Sequence, residues 1–161
     1  MAAWRMAMRG RIADDGSWMD DPVEMWPQCA EAGVAAITYF PVENVDLSQF
    51  AEPNQVPGWA QLAPAQQHSL HRFVWEVRVG DVIYVKQGPM IVGKGVVQGD
   101  YQFDREGQIS CGDGIAVIYW RHQRQVSWSP NFQPICIQVG QPQIVALVQV
   151  DAEDIARIEQ A

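Results

Sequence analysis

The sequence predicts an α+β fold: a small β-barrel of mixed, mostly antiparallel strands with helices at its periphery. Three observations predict it. β-rich runs crowd the second half of the chain and follow one another through short turns. The order strand, helix, strand, helix, several strands and a terminal helix lacks the helix between most strands that a doubly wound parallel sheet requires. Two glycines, Gly93 and Gly95, fall on one face of a strand, where small closed barrels need points of sharp coiling or close approach. With 161 residues, 48% of them apolar, residues 1–161 are read as a single domain with its own core.

Residues 3–9 read as a first strand, with Trp4, Met6 and Met8 on one face. Residues 12–22, rich in Asp, Gly and Ser, read as a loop that carries Trp18. Residues 26–32 form a short helix; Pro27 suits its first turn and Gly33 the position just past its end. The apolar run 34–40 is a buried strand. Residues 41–64, punctuated by Pro41, Pro53, Pro57, Gly58 and Pro64, form a long irregular loop inside the domain. Residues 64–78 form the best helix, with Leu70, Phe73, Val74 and Val77 in one apolar stripe and Gly80 ending it. Runs 81–86 and 90–98 form the clearest hairpin, across Gln87, Gly88 and Pro89. Runs 115–120, 125–128, 135–139 and 144–150 supply further strands. Asp151 caps a last helix whose Ile155 and Ile158 face the core.

The formal net charge of -8 weighs against long, tight duplex binding, which needs a basic surface. The acid is concentrated at the two ends, while residues 60–130 are nearly neutral and hold most of the cations. A local positive face is therefore compatible with an acidic chain, at the cost of salt sensitivity. Cys29, Cys111 and Cys136 are odd in number and widely spaced, which argues against a disulfide framework or a cysteine-rich zinc site and for a reducing, cytoplasmic setting. Arg5, Arg9 and Arg11 interrupt any N-terminal signal segment, and no stretch reaches the roughly 18 apolar residues of a membrane helix.

The common catalytic motifs are missing: there is no GxSxG elbow, no P-loop and no HExxH. His68 and His71 could share a metal from one helix, but no third ligand is spaced to join them. Asp14 with Asp15, and Asp20 with Asp21, could hold a divalent ion, or simply be solvated loop acids. Cys111 lies in a Gly-rich stretch, with His122 as a conceivable base. No catalytic residue, resident metal or cofactor is assigned. Lys94 between its two glycines could approach a phosphate closely, although the context is not that of a P-loop.

Seven tryptophans are many for this length. Trp75 and Trp128 suit the core, whereas Trp18 and Trp59 sit in polar, turn-rich segments. Trp120 directly precedes Arg121, His122, Gln123 and Arg124. A flat ring beside cations is what binding of a single strand or a flipped base uses; an interior Trp beside a solvated basic turn is the other reading.

The segments Val79-Gly80-Asp81-Val82-Ile83-Tyr84-Val85, Val92-Gly93-Lys94-Gly95-Val96-Val97 with Tyr101, and His122-x-Arg124-x-Val126-x-Trp128 together resemble the EVE-type branch of the PUA-like superfamily, related to YTH domains. The nearest likeness is to versions attached to modification-dependent restriction systems. Ala3-Trp4-Arg5 resembles the family's first strand. Residues 33–39 resemble its second strand, with Thr38-Tyr39 standing where the family usually has Gly-Trp. The resemblance implies a barrel with a pocket for one extruded, modified base of DNA or RNA. Its rings would be Trp4, Tyr39 and Trp120, with hydrogen bonds from Thr38 and Asp100. Phosphates would meet Lys86, Lys94, Arg121, His122 and Arg124. Nucleic acid is the implied partner, no membrane is, and any cleavage would fall to a separate nuclease or motor protein. Two other readings stand beside it: an ASCH-like enzyme acting on RNA or nucleosides through Lys86, Lys94, Tyr84 or Cys111, and a protein-interaction module using the acidic ends and the 41–64 loop.

Overall fold

The computed structural model describes residues 1–12, 18–112, 117–139 and 145–161, with only the backbone course for 11–12 and 18–22. The elements run β1 (Ala3–Met6), β2 (Arg9–Ile12), β3 (Trp18–Glu24), α1 (Trp26–Ala32), β4 (Val34–Ile37), α2 (Pro64–His71), β5 (Val82–Gln87), β6 (Met90–Val97), β7 (Gln102–Phe103), β8 (Ser110–Cys111), β9 (Ile118–Tyr119), β10 (His122–Trp128), β11 (Ile135–Cys136), β12 (Leu147–Gln149) and α3 (Ala152–Gln160). Eight strands form a curled mixed sheet, a half-barrel, along the path β12-β1-β5-β6-β10-β4; β11 joins β6 and β7 joins β10. Among the described residues β1 and β5 are the one parallel pair. The α+β small-barrel expectation therefore holds at the level of architecture.

Alternation along β1, β5 and β6 sorts two cores. Trp4, Met6, Ile83, Val85 and Val97 face inward with β10's Val126, under α1, α2 and the 41–64 loop. Ala3, Tyr84 and Ile91 face outward, where Val139, Val150 and Ile158 of α3 cover them. The β5·β6 ladder slips between Val85 and Lys86, setting Val85 opposite Gly93 and Lys86 opposite Ile91. Such an irregularity raises local twist and helps curl the sheet. Gly93 and Gly95 are required by close approach. A Cβ on Gly93 would lie 2.5 Å from the Trp26 ring, and one on Gly95 would lie 2.5 Å from Trp128. The two rings meet edge to face at 4.8 Å, and Trp128 Nε1 donates to the carbonyls of Cys29 and Val34 at 3.2 Å.

Helix α1 starts with proline in its first turn and ends on Gly33 in the left-handed region, φ 70°. The expected helix over 64–78 divides. Winding is α to His71 and π over Arg72–Glu76, where Val77 N bonds to Arg72 O at 2.8 Å. Arg78 N turns instead to Asp81 at 2.9 Å. The carbonyls of Phe73 and Val74 are thereby left to a partner outside the helix. The 41–64 segment holds three short 3₁₀ turns. The loop expected over 12–22 needs correction: Trp18–Glu24 is a strand paired with β2, so backbone pairing overrides its turn-rich composition. The Asp14 and Asp15 pair lies outside the described residues, as do the side chains of Trp18, Asp20 and Asp21.

Candidate functional site

The chain leaving β4 folds back over the start of β10. Val42 N bonds to Tyr39 O at 2.9 Å and Val45 N to Val42 O at 3.1 Å, which makes the return. Asp46 then caps the next turn by accepting Ser48 N at 3.0 Å. His122 pins the fold-back from β10: its Nε2 lies 2.9 Å from Val42 O and its Nδ1 2.7 Å from the Tyr101 hydroxyl. A carbonyl can only accept, so Nε2 carries the proton and Tyr101 donates to Nδ1. Tyr101 in turn accepts Leu47 N at 3.2 Å. The relay needs a neutral imidazole. Burial drives the His122 pKa down to about 4, against the opposing pull of Val42 O and Asp46.

Arg124 is framework as well. Its guanidinium is buried and donates to Phe73 O at 2.7 Å, Val74 O at 3.0 Å and Gly99 O at 3.2 Å. The first two are the carbonyls released by the π turn. Arg124 and His122 were expected at phosphates; both instead lie behind the surface, because alternation sends them inward.

Arg121 and Gln123 point the other way. Arg121 donates through Nε to Asn44 Oδ1 at 3.2 Å and through Nη1 to the carbonyls of Asp104 and Arg105 at 3.0 Å. Its guanidinium lies 4.6 Å from the centroid of the Tyr119 ring and 6.0 Å from that of Phe103. Arg105 stands 5.4 Å from the same Phe103 ring and pairs with Asp46 at 3.1 Å. Tyr119 is 37% exposed, and Phe40, two residues beyond Thr38, is 73% exposed. The result is a rim of rings and guanidinium groups.

Three buried polar atoms in these segments have no partner among the described residues: Thr38 Oγ1, Glu43 Oε2 and Gln123 Oε1. Gln123 Nε2 donates to Trp120 O at 2.9 Å and to Asp104 Oδ2 at 3.3 Å. Both are acceptors, so the amide cannot be flipped and Oε1 is left over. Gln123 pairs with Ala36, and Thr38 lies two residues on, so their side chains share a face of the β4·β10 ladder. Each buried polar atom without a partner costs about 1–3 kcal/mol.

The other expected residues have different positions. Trp4 is buried, and its Nε1 donates to Asp81 at 2.9 Å. Burial alone would raise the Asp81 pKa, but donors from Trp4, Ala2 and Arg78 outweigh it and hold it low. Trp120 is buried against Gly10, with Nε1 3.4 Å from Cys111 Sγ. Neither ring is open to a base. Tyr39 is packed on the main core; burial pushes its hydroxyl up to about 12 despite a hydrogen bond with Ser69. Asp100 is exposed and acts electrostatically on Arg124. Lys94 and Tyr84 both bond Glu159 of α3, at 2.6 and 2.5 Å. Lys86 lines a separate cavity. Cys111 is buried, and both ring nitrogens of its conceivable base, His122, are engaged elsewhere. His71 pairs with Glu76 at 3.5 Å, and no group of three or more metal-ligating side chains gathers among the described residues.

Of the expected residues, the structure thus brings Thr38 and Arg121 together, with His122 and Arg124 as their support. Sequence reasoning missed Glu43, Gln123, Phe103 and Tyr119. The signal was the alternation itself: on β9–β10 the outward ring is Tyr119, not Trp120, and the outward amide is Gln123, between inward His122 and Arg124.

A family model described as a domain of unknown function, DUF8426, matches residues 11–141. The chain belongs to the DUF8426 family. No curated protein matches it. The DUF8426 match takes in Thr38, Glu43, Arg121, Gln123 and the rim around them, while β1 with Trp4 and the terminal α3 lie outside it. Among the described residues of this DUF8426 chain, no helix is long and apolar enough to cross a membrane.

Proposed function

We propose that this DUF8426 domain is a PUA-like, EVE-related module that recognises one extruded nucleobase, modified in its natural target, at the end of β4 and β10. The observation that carries the reading is the set of unpaired buried oxygens on Thr38, Glu43 and Gln123 behind an aromatic and cationic rim. Oxygens of Glu43 and Gln123 accept only, so they suit a base edge that offers N–H groups. An exocyclic amine that carries one methyl group still offers one N–H. Exposed Phe40 and the Arg121 guanidinium, itself backed by the Tyr119 ring, supply stacking. Recognition is local, as the acidic balance requires, and any cleavage coupled to it belongs to a separate nuclease or motor protein.

The test is a binding screen over single-stranded and duplex oligonucleotides carrying different modified bases. Two rim cations, Arg105 and Arg121, predict a slope of log K on log salt of about -1.5. Arg121→Ala is expected to weaken binding by about tenfold. Thr38→Val removes a hydroxyl that has no partner among the described residues, so it should lower affinity while leaving the melting temperature equal or higher. Absence of binding to the whole panel, or equal affinity in both variants, would sink the reading.

A further inference from the structure

A second polar feature lies on the outer face of β1 and β5. Arg5 stands opposite Tyr84 in the parallel ladder, so it projects on the same side as Tyr84 and Lys86, away from the main core. It is 3% exposed, yet it carries five N–H donors. Among the described residues its guanidinium makes one hydrogen bond, from Nη1 to Val139 O at 2.6 Å. The carboxylate that acts on it electrostatically, Asp154, is itself ion-paired with Arg157 at 2.9 Å. None of its other nitrogens is sealed in the protein without a partner, so the unspent donors are open to an acceptor that comes from outside the fold.

Arg5 lines a cavity of about 310 Å³ together with Lys86, Gly88, Pro89, Cys136 and Val139. Lys86 forms no ion pair among the described residues. Burial lowers its pKa first, and the charges of Arg5 and Arg9 lower it further, with Glu24 opposing. Glu24 is already committed to Arg9 at 2.6 Å. Among the described residues neither of these two cations forms an ion pair, in a chain whose net charge is -8. A guanidinium fork beside an ammonium matches the oxygens and the charge of a phosphate better than those of a single carboxylate. The space exceeds a bare phosphate and leaves room for the group esterified to it.

We propose that this cavity is an anion site that takes the phosphate of a phosphomonoester, held between Arg5 and Lys86. The monoester is a free phosphorylated small molecule or a nucleic-acid terminus; both present the same chemistry. The site shares no lining residue with Thr38, Glu43 and Gln123, so it stands apart from base recognition.

Cys136 provides the readout. It is exposed and lines the cavity, whereas Cys29 and Cys111 are buried. The full chain is labelled with a maleimide in the presence of inorganic phosphate, a nucleoside 5′-monophosphate, the parent nucleoside, or an oligonucleotide with or without a 5′-phosphate. Phosphate-bearing compounds should slow Cys136 labelling by about tenfold at a concentration about ten times Kd. The nucleoside and the 5′-hydroxyl strand should not. Lys86→Met, at a half-buried position, should remove the protection with the melting temperature unchanged, and Arg5→Met, checked for folding, should do the same. Protection by the monophosphate and protection by the phosphorylated strand alone each support the site and tell its two sources apart. Equal labelling rates with every compound, or protection that survives in Lys86→Met, would overturn it.

Discussion

Protonating His122 would set a second N–H donor against the Tyr101 hydroxyl and charge a side chain with no exposed surface. Its pKa lies at about 4 in the folded chain, below the roughly 6.5 of an unfolded one. Between those values the unfolded state binds the extra proton, so stability falls as pH drops from about 6.5 toward 4. The loss approaches about 3 kcal/mol at the acid end. Urea midpoints at pH 7, 5.5 and 4.5 measure it, and His122→Gln should flatten the slope. Gly93→Ala tests the other tight point. With Trp26 at 2.5 Å from the new Cβ, it should cost about 2 kcal/mol and change tryptophan emission. The glycine pair was legible in the sequence as a place of close approach, but the rings that approach were not, since Trp26 and Trp128 lie far from it along the chain. The same limit hid the roles of His122 and Arg124: their residue types pointed to a ligand, whereas their acceptors belong to segments 25 to 80 residues away.

Elements were legible where the punctuation is local. Pro27 and Gly33 bracket α1, and the hairpin of β5 and β6 turns where its Gly-Pro pair stands. The helix over 64–78 shows what local pattern omits. Leu70, Phe73 and Val77 do face the core, but the winding changes after His71, and Arg124 takes the two carbonyls this frees. Helix α3, nine residues long, is too short to persist alone. It depends on Ile158 against the outer face of the sheet, on the Asp151 cap, and on Glu159 reaching Lys94 and Tyr84. Ile158→Ala should therefore cost about 2 kcal/mol. Hydrogen exchange should quicken over 152–160 while β5 and β6 stay protected.

At the scale of the molecule, the fold class followed from strand order and turn spacing, but the sheet path did not. Nothing in the first strand's sequence says that it will lie between β5 and β12. That position ties residues near one end of the sequence to Leu147–Gln149, through Trp4 opposite Gln149 and Met6 opposite Leu147. During synthesis the partner for that edge of β1 emerges only after residue 147 has been made. Until then β1 presents an unpaired edge with apolar side chains on its inner face, and the nascent chain is open to association with other strands. Chains cut before residue 147 should accordingly collect in the insoluble fraction to a greater extent than chains that include Leu147–Gln149, which close that edge.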